Sequence, residues 1–327
     1  MSSHTLNITV AGTSPLSTGI LRTLSHAGPS LKPNAQNRSH QSYPYHYAVT
    51  ILTRTNQSPP HIHNVHHQTS DYTLASLTTT FQDQHVIIST YAPADTAFQK
   101  LLIDAAVAAH VPYFLPCEFS YDTQNAKICD AFPPCAARAE VLSYLREKGN
   151  ENENFRWTGI ATGCLLENGL VDGLLGFDLV WKSATIYGDG AEEFPCSTVA
   201  GIGRAVLDVL KDLEEGRYAR EFLYRNEFMT SQNEILMMLE KIGKWDVGRA
   251  EIEECVREGD RRMKRGFFEG AMVLLERYVL FGSIGELKHW EDKREKFELE
   301  RVVKGVFEGQ GVFEGLERNG KAECGCG

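Results

Sequence analysis

The chain has 327 residues, 42% hydrophobic and 23% charged, with a formal net charge of -10. That composition supplies a large buried core in one large or two fused domains, and the acid excess excludes a general nucleic-acid binder, which needs a Lys/Arg face for phosphate. No apolar run approaches the roughly 18 residues that span a bilayer, the start MSSHTLNITVAG lacks the basic and apolar regions of a signal peptide, and eight scattered cysteines form no repeated CxxC pattern, so the expectation is a soluble, cytoplasmic protein with reduced thiols and no bound metal.

Leu6 to Ala11 predicts a strand, and GTSPLSTGILRTLSHAG a turn into an amphipathic helix with Ile20, Leu21 and Leu24 on one face. Strand, glycine turn and helix suit a dinucleotide cradle, in which glycines let the backbone approach a pyrophosphate at the helix N-terminus. Only Gly12 stands in the expected place; Pro15, Ser17 and Thr18 occupy the region of later glycines, and Gly19 comes late. An ordinary strand-to-helix turn capped by Ser17 or Thr18 fits the same residues. The polar, turn-rich stretch from Gly28 to His46 is expected to be a surface insertion. Tyr47 to Thr53 predicts the second strand, ending at Arg54. An acid after that strand would bind a ribose 2'-hydroxyl, whereas an Arg suits the 2'-phosphate of NADP; a solvated strand-end Arg is the alternative.

His61, His63, His66 and His67 form a dense patch, and a strand from His61 to His67 would put His61, His63 and His67 on one face. With no Cys or carboxylate joining them, an exposed polar edge strand is expected there. TSDYTLASLTTTF predicts a helix carrying Leu74, Leu77 and Phe81. His85 to Thr90 predicts a strand buried on both faces, whose end at Ser89, Thr90 and Tyr91 reaches the same crevice as Gly12. A helix from Asp95 to His110 leads to a strand, Tyr113 to Leu115, stopped by Pro116 and followed by a loop with Cys117, Glu118 and Phe119. After a polar connection, Pro133 and Pro134 start a helix that places Arg138, Val141, Leu142 and Leu145 at helical spacing. In a parallel sheet the carboxyl end of a strand and the helix after it face the ligand crevice, so the chemistry is expected here.

Phe155 to Ala161 predicts another strand, ending in Thr162 and Gly163. A hairpin-like pair around Asp178 to Tyr187 is expected with a turn at Gly188 to Gly190. Ser197 or Thr198 caps a helix from Val199 to Leu213, Glu221 to Tyr224 is a short strand, and Ser231 caps a helix with Glu234 in a capping box. From Arg249 the chain is expected to be helical, with apolar stripes Phe267, Phe268, Met272, Leu275, Val279 and Phe297, Val302, Val303, Phe307, then a disordered tail after Gly309. The alternation predicts an α/β fold: a Rossmann-like doubly wound parallel sheet over residues 1–162, and a smaller α+β substrate-binding region over 163–308, interleaved with the last sheet elements.

The blocks FLPCEFSYDT, TGIATGCLLENGL, LLGFDL and FMTSQNEILMMLEKIGKW, in that order, resemble the isoflavone reductase-like and NmrA-like group of atypical short-chain dehydrogenases, from Asn7 to about Val247. The resemblance implies an NADPH-dependent reductase of a small aromatic or conjugated metabolite, of a type tied in fungi to secondary metabolism. Taken with Gly12 and Arg54, it places Gly12, Thr13, Ser14, Pro15 and Leu16 along the pyrophosphate, Arg54 at the 2'-phosphate, and Thr90, Tyr91, Pro116, Cys117 and Phe119 on the nicotinamide side. Gly163, Cys164, Leu165 and Leu166 would begin an apolar substrate pocket.

The family's Lys at the start of the helix after this loop, assigned the proton transfer, corresponds to Arg138 here, and Cys117 replaces the loop Ser. Arg stays protonated, with a pKa above roughly 12, so Arg138 suits an anchor for phosphate, ribose or oxyanion and is a poor general base. A rival reading is an NmrA-like regulatory dinucleotide-binding protein without turnover, with the charged helical C-terminus as a protein-partner surface. A scaffold that binds no nucleotide follows if Pro15 blocks the cradle.

Overall fold

β-Branched and aliphatic runs that suit burial on both faces build the central sheet. The computed structural model describes residues 5–27, 46–59, 61–91, 95–215, 217, 221–291 and 296–309. Its first half alternates β1 (Thr5–Ala11), α1 (Pro15–His26), β2 (His46–Arg54), β3 (Val65–Ser70), α2 (Leu74–Thr80), β4 (Val86–Ser89), α3 (Thr96–Ala108), β5 (Tyr113–Leu115), α4 (Ala126–Ala131), α5 (Pro133–Glu151) and β6 (Arg156–Ala161). There follow β7 (Cys164–Leu165), α6 (Leu166–Val171), β8 (Phe177–Asp178), β9 (Ser183–Tyr187), β10 (Phe194–Ser197), α7 (Val199–Glu214), β11 (Glu221–Tyr224), β12 (Phe228–Thr230), α8 (Gln232–Glu240), β13 (Asp246–Ala250), α9 (Ile252–Lys264), α10 (Phe268–Phe281) and α11 (Lys296–Phe307).

The large sheet has seven parallel strands in the order β11-β6-β5-β4-β1-β2-β3. The chain winds outward from β1 in one direction, then returns to β4 and winds in the other. The crevice between β1 and β4 is therefore the topological switch point, where an open α/β sheet binds its ligand. One face is covered by α1 and α7, through Ile20, Leu21 and Leu24 against Ile202, Val206 and Leu210. The other is covered by α2, α3 and α5, through Phe81, Leu102, Ile103, Leu142 and Leu145 against Phe114 and Trp157. Helices on both faces make the sheet doubly wound, as the alternation predicts.

Gly19 and Gly203 let α1 and α7 touch. A Cβ on Gly19 would lie 2.1 Å from Val199 Cγ1, and one on Gly203 2.2 Å from Thr23 Oγ1. The late glycine of the first turn thus serves helix packing. Although α7 and β11 come after residue 163, they complete the large sheet and its cover. The rest forms two small sheets, β12-β10-β7 and β13-β9-β8, over a second core that includes Phe177, Phe194, Trp245, Leu275 and Val303.

Several local expectations are corrected. Ser14, not Ser17 or Thr18, caps α1; Ser14 Oγ accepts from Ser17 N while Ser17 and Thr18 are buried within the helix. The histidine strand starts at Val65, so His61 and His63 precede it, and His67 Nε2 lies 2.7 Å from Thr53 Oγ1. The pair β8–β9 turns over residues 179–182 because Phe177 pairs with Ala184. Gly188 to Gly190 instead leads β9 towards β10. The polar connection before Pro133 holds α4, and the supposedly all-helical end opens with β13, paired with β9. Phe267 and Phe268 are 65% and 59% exposed, outside the buried stripe that Leu275 and Val279 continue. Most of the expected insertion, 28–45, and the expected tail from 310 onward lie outside the described residues, as does the side chain of Phe297. Among the described residues no helix is long and apolar enough to cross a membrane.

Candidate active site

Gly12 stands at φ +126°, a conformation open to glycine, and a Cβ there would meet Thr90 Oγ1 at 2.4 Å. Thr90 Oγ1 donates to the Ala11 carbonyl (2.9 Å), which ties the end of β4 to the end of β1. Beside this tie, α1 begins with Ser14 as cap and Pro15 at its first position. Pro15 has no N–H and that of Ser17 is taken by Ser14 Oγ, so Leu16 supplies the first-turn donor left for a phosphate. Thr13 is exposed, and Leu16 packs its side chain partly into the core.

At the end of β2, the exposed Arg54 guanidinium lies 4.9 Å from the Tyr72 ring centroid and 5.7 Å from that of Phe98. Tyr91 meets Phe98 edge-on at 4.9 Å, and the Tyr72 and Tyr91 hydroxyls are hydrogen-bonded to each other. Arg54 is thus an exposed cation held over an aromatic shelf. The structure brings Gly12 against Thr90, and Tyr91 and Arg54 together at Tyr72, around the switch point. The cradle that a Cβ would fill and the stacked cation beside it fit a phosphorylated dinucleotide.

Beyond β5, Pro116 and Cys117 lead to Glu118 and Phe119. The Phe119 ring turns into the first core with Ile160 and Leu223. Glu118 is buried and accepts from Thr123 Oγ1 at 2.6 Å. Burial pushes its carboxyl up to about 7, although the Arg138 charge pulls it down. Burial also pushes the Cys117 thiol up to about 12, which makes it a poor nucleophile at neutral pH. Arg138, on α5, is 7% exposed; its Nη2 donates to Cys135 Sγ at 3.1 Å and its Nε has no partner. Desolvation opposes its charge, but Cys135, Glu118 and Cys117 more than offset that. A buried cation with an unused donor is half of a binding site for an oxygen ligand.

Gly163, at φ +75°, brings the end of β6 against β10: a Cβ would sit 2.2 Å from the Pro195 carbonyl oxygen. Cys164 and Leu166 are core residues of the second layer and Leu165 is partly buried against the first core, so the expected start of a substrate pocket at these residues is packed core. A narrow cleft instead opens among Tyr121, Asp122, Ile128, Phe194, Leu280 and Trp290. Its polar members were missed from sequence. Tyr121 OH donates to Glu276 Oε1 (2.8 Å), and Tyr224 OH to Asp122 Oδ1 (3.1 Å). Tyr121 and Asp122 lie inside the FLPCEFSYDT block, a usable signal, whereas nothing local marks Glu276, 155 residues away.

The NmrA-like family model matches residues 49–299, and the chain belongs to that family. It is 33% identical over 241 residues to the oxidoreductase aprR of Aspergillus flavus, covering 72% of this chain and 79% of the relative. It is 31% identical over 231 residues to the oxidoreductase poxI of Penicillium oxalicum, covering 70% and 72%. Among solved structures, AtPrR2 with NADP+ and (+)-pinoresinol superposes at a TM-score of 0.69 and 15% identity, covering 94% of this chain and 99% of that one. The Citrobacter sp. triphenylmethane reductase complexed with NADP(H) does so at 0.60 and 14%, covering 92% and 100%. At such identities the likeness is one of fold.

Proposed function

We propose that the protein is an NADPH-dependent reductase of a small aromatic or conjugated metabolite. The observation that carries this reading is Arg54, a cation stacked on Tyr72 at the end of β2 beside the Gly12 turn, where a dinucleotide's 2'-phosphate would lie. Two oxidoreductases among the relatives and NADP-bound fold neighbours support it. The Gly12 backbone, bare of a Cβ, and the Leu16 N–H would line the pyrophosphate, Arg54 would pair with the 2'-phosphate, and Thr90, Tyr91 and the loop at Pro116 and Cys117 would flank the nicotinamide, which supplies the hydride when bound. Arg138 would direct its free Nε at a ribose or substrate oxygen.

The reading predicts that NADPH binds roughly tenfold more tightly than NADH, from charge-assisted hydrogen bonds to the phosphate. Arg54→Ala should erase that preference in a fluorescence titration, and the wild type should oxidise NADPH with an aromatic enone or a benzylic ether. Equal affinity for both nucleotides would sink the assignment. A second reading, a regulatory dinucleotide-binding protein, is favoured by Arg138 at the position where the family places its Lys. It requires NADPH binding with no oxidation across the same substrates.

A further inference from the structure

With Arg138 unable to give up a proton, a reductase built on this chain needs another acid. Tyr121 follows directly from the loop after β5. The carbonyl of the preceding Ser120 accepts from Thr162 N (3.0 Å) and Gly163 N (2.9 Å), which pins the segment across the carboxyl ends of β5 and β6. The Tyr121 ring packs edge-on against Phe132 at 6.1 Å, at the foot of the helix that carries Arg138. Tyr121 is 4% exposed, lines the cleft with Ile128 and Leu280, and donates its hydroxyl proton to Glu276 at 2.8 Å.

We propose, resting on the reductase reading, that Tyr121 is the proton donor to the reduced substrate and that Glu276 recharges it. In an enone the β-carbon accepts the hydride, the C=C pair shifts, and the carbonyl oxygen becomes an enolate. When Glu276 is protonated its hydrogen bond with Tyr121 reverses and frees the Tyr121 O–H, which breaks towards that oxygen; the phenolate takes the proton of the Glu276 carboxylic acid, and solvent reprotonates the carboxylate. One hydride and one proton are added as NADPH becomes NADP+. Glu276 suits the role because burial raises its pKa, while Tyr121 and Arg138 pull it down and Asp172 pushes it up. Burial, with Cys164 and Glu276 beside it, also raises the Tyr121 hydroxyl, so its phenolate recaptures a proton readily, and burial keeps the Cys164 thiol protonated. Of the helices packed on α10, α9 turns Cys255 to Tyr187 and Arg262 to the Gly270 carbonyl, and α4 turns Cys129 to the Thr123 carbonyl.

The test uses the full chain with trans-chalcone and pinoresinol as probes. Tyr121→Phe should lower kcat by about 100-fold or more, the range for losing a general acid, with NADPH affinity unchanged. Glu276→Gln should flatten the loss of kcat at rising pH. In cofactor-free protein, carboxyl-carbon NMR should show Glu276 titrating above an ordinary glutamate, and higher still in Tyr121→Phe. Wild-type turnover of a probe that Tyr121→Phe leaves intact, or a pH profile of kcat unchanged in Glu276→Gln, overturns this proposal alone. No NADPH oxidation by the wild type with either probe overturns the reductase reading, and this proposal with it.

Discussion

Glu118 shows how one buried side chain makes the fold pH-sensitive. Its carboxyl sits at about 7, above the 4.5 of a free glutamate, because burial outweighs the pull of Arg138 and the Thr123 hydrogen bond. A carboxyl raised by folding contributes stability that is complete below about pH 4.5 and is lost as pH climbs through 7. Over that window the loss is on the order of 3 kcal/mol. Glu118→Gln keeps an acceptor for Thr123 and removes the titration. In urea melts the variant should gain on the wild type between pH 5 and pH 8; a constant difference would place the shift elsewhere. Arg54 and Tyr121, tested above, belong to the same scale. Each was present in the sequence as a residue type, yet the shelf under Arg54 joins Tyr72 and Phe98 from two other segments.

Among the elements, α7 carries the most concentrated local chemistry. Thr198 caps it through Gly201 N at 2.8 Å, and Glu167 accepts from Val199 N at 3.1 Å. Glu227 accepts from both Thr198 N and Thr198 Oγ1, so two carboxylates face the helix's positive end. Thr198→Ala should cost about 1 kcal/mol, seen as a lower urea midpoint with an unchanged slope. The cap was legible as Ser197 or Thr198 before a periodic apolar face, and the structure puts it at Thr198. The two carboxylates were not, because they arrive from α6 and from the turn before β12. Likewise α1 could be read from its apolar spacing, but its cap moved to Ser14 because Pro15 is suited to the first helical position. The edge strand β3 was placed four residues early: the histidine run looks extended throughout, but pairing with β2 begins only at Val65 opposite Val49.

Across the whole molecule, the second core meets the large sheet at the carboxyl end of β6, where Gly163 packs against β10 and Tyr121 reaches Glu276 of α10. Among the described residues no group of three His, Cys, Asp or Glu side chains could hold a metal ion. Melting temperature and any turnover should therefore be unchanged after dialysis against a chelator; a fall reversed by one equivalent of zinc would contradict this. The sequence by itself determined the alternation of strands and helices, the doubly wound class, and the turn and loop ends at Gly12, Arg54, Thr90 and Pro116, because periodicity, turn residues and helix starts are local properties. Only the tertiary structure decided that β11 pairs with β6, that Gly19 makes room for Val199 of α7, that Arg138 is buried with an unused Nε, and that Tyr121 meets Glu276. Those outcomes depend on which distant segments share a sheet edge or a helix face, and burial, not spacing along the chain, sets their hydrogen bonds and proton affinities.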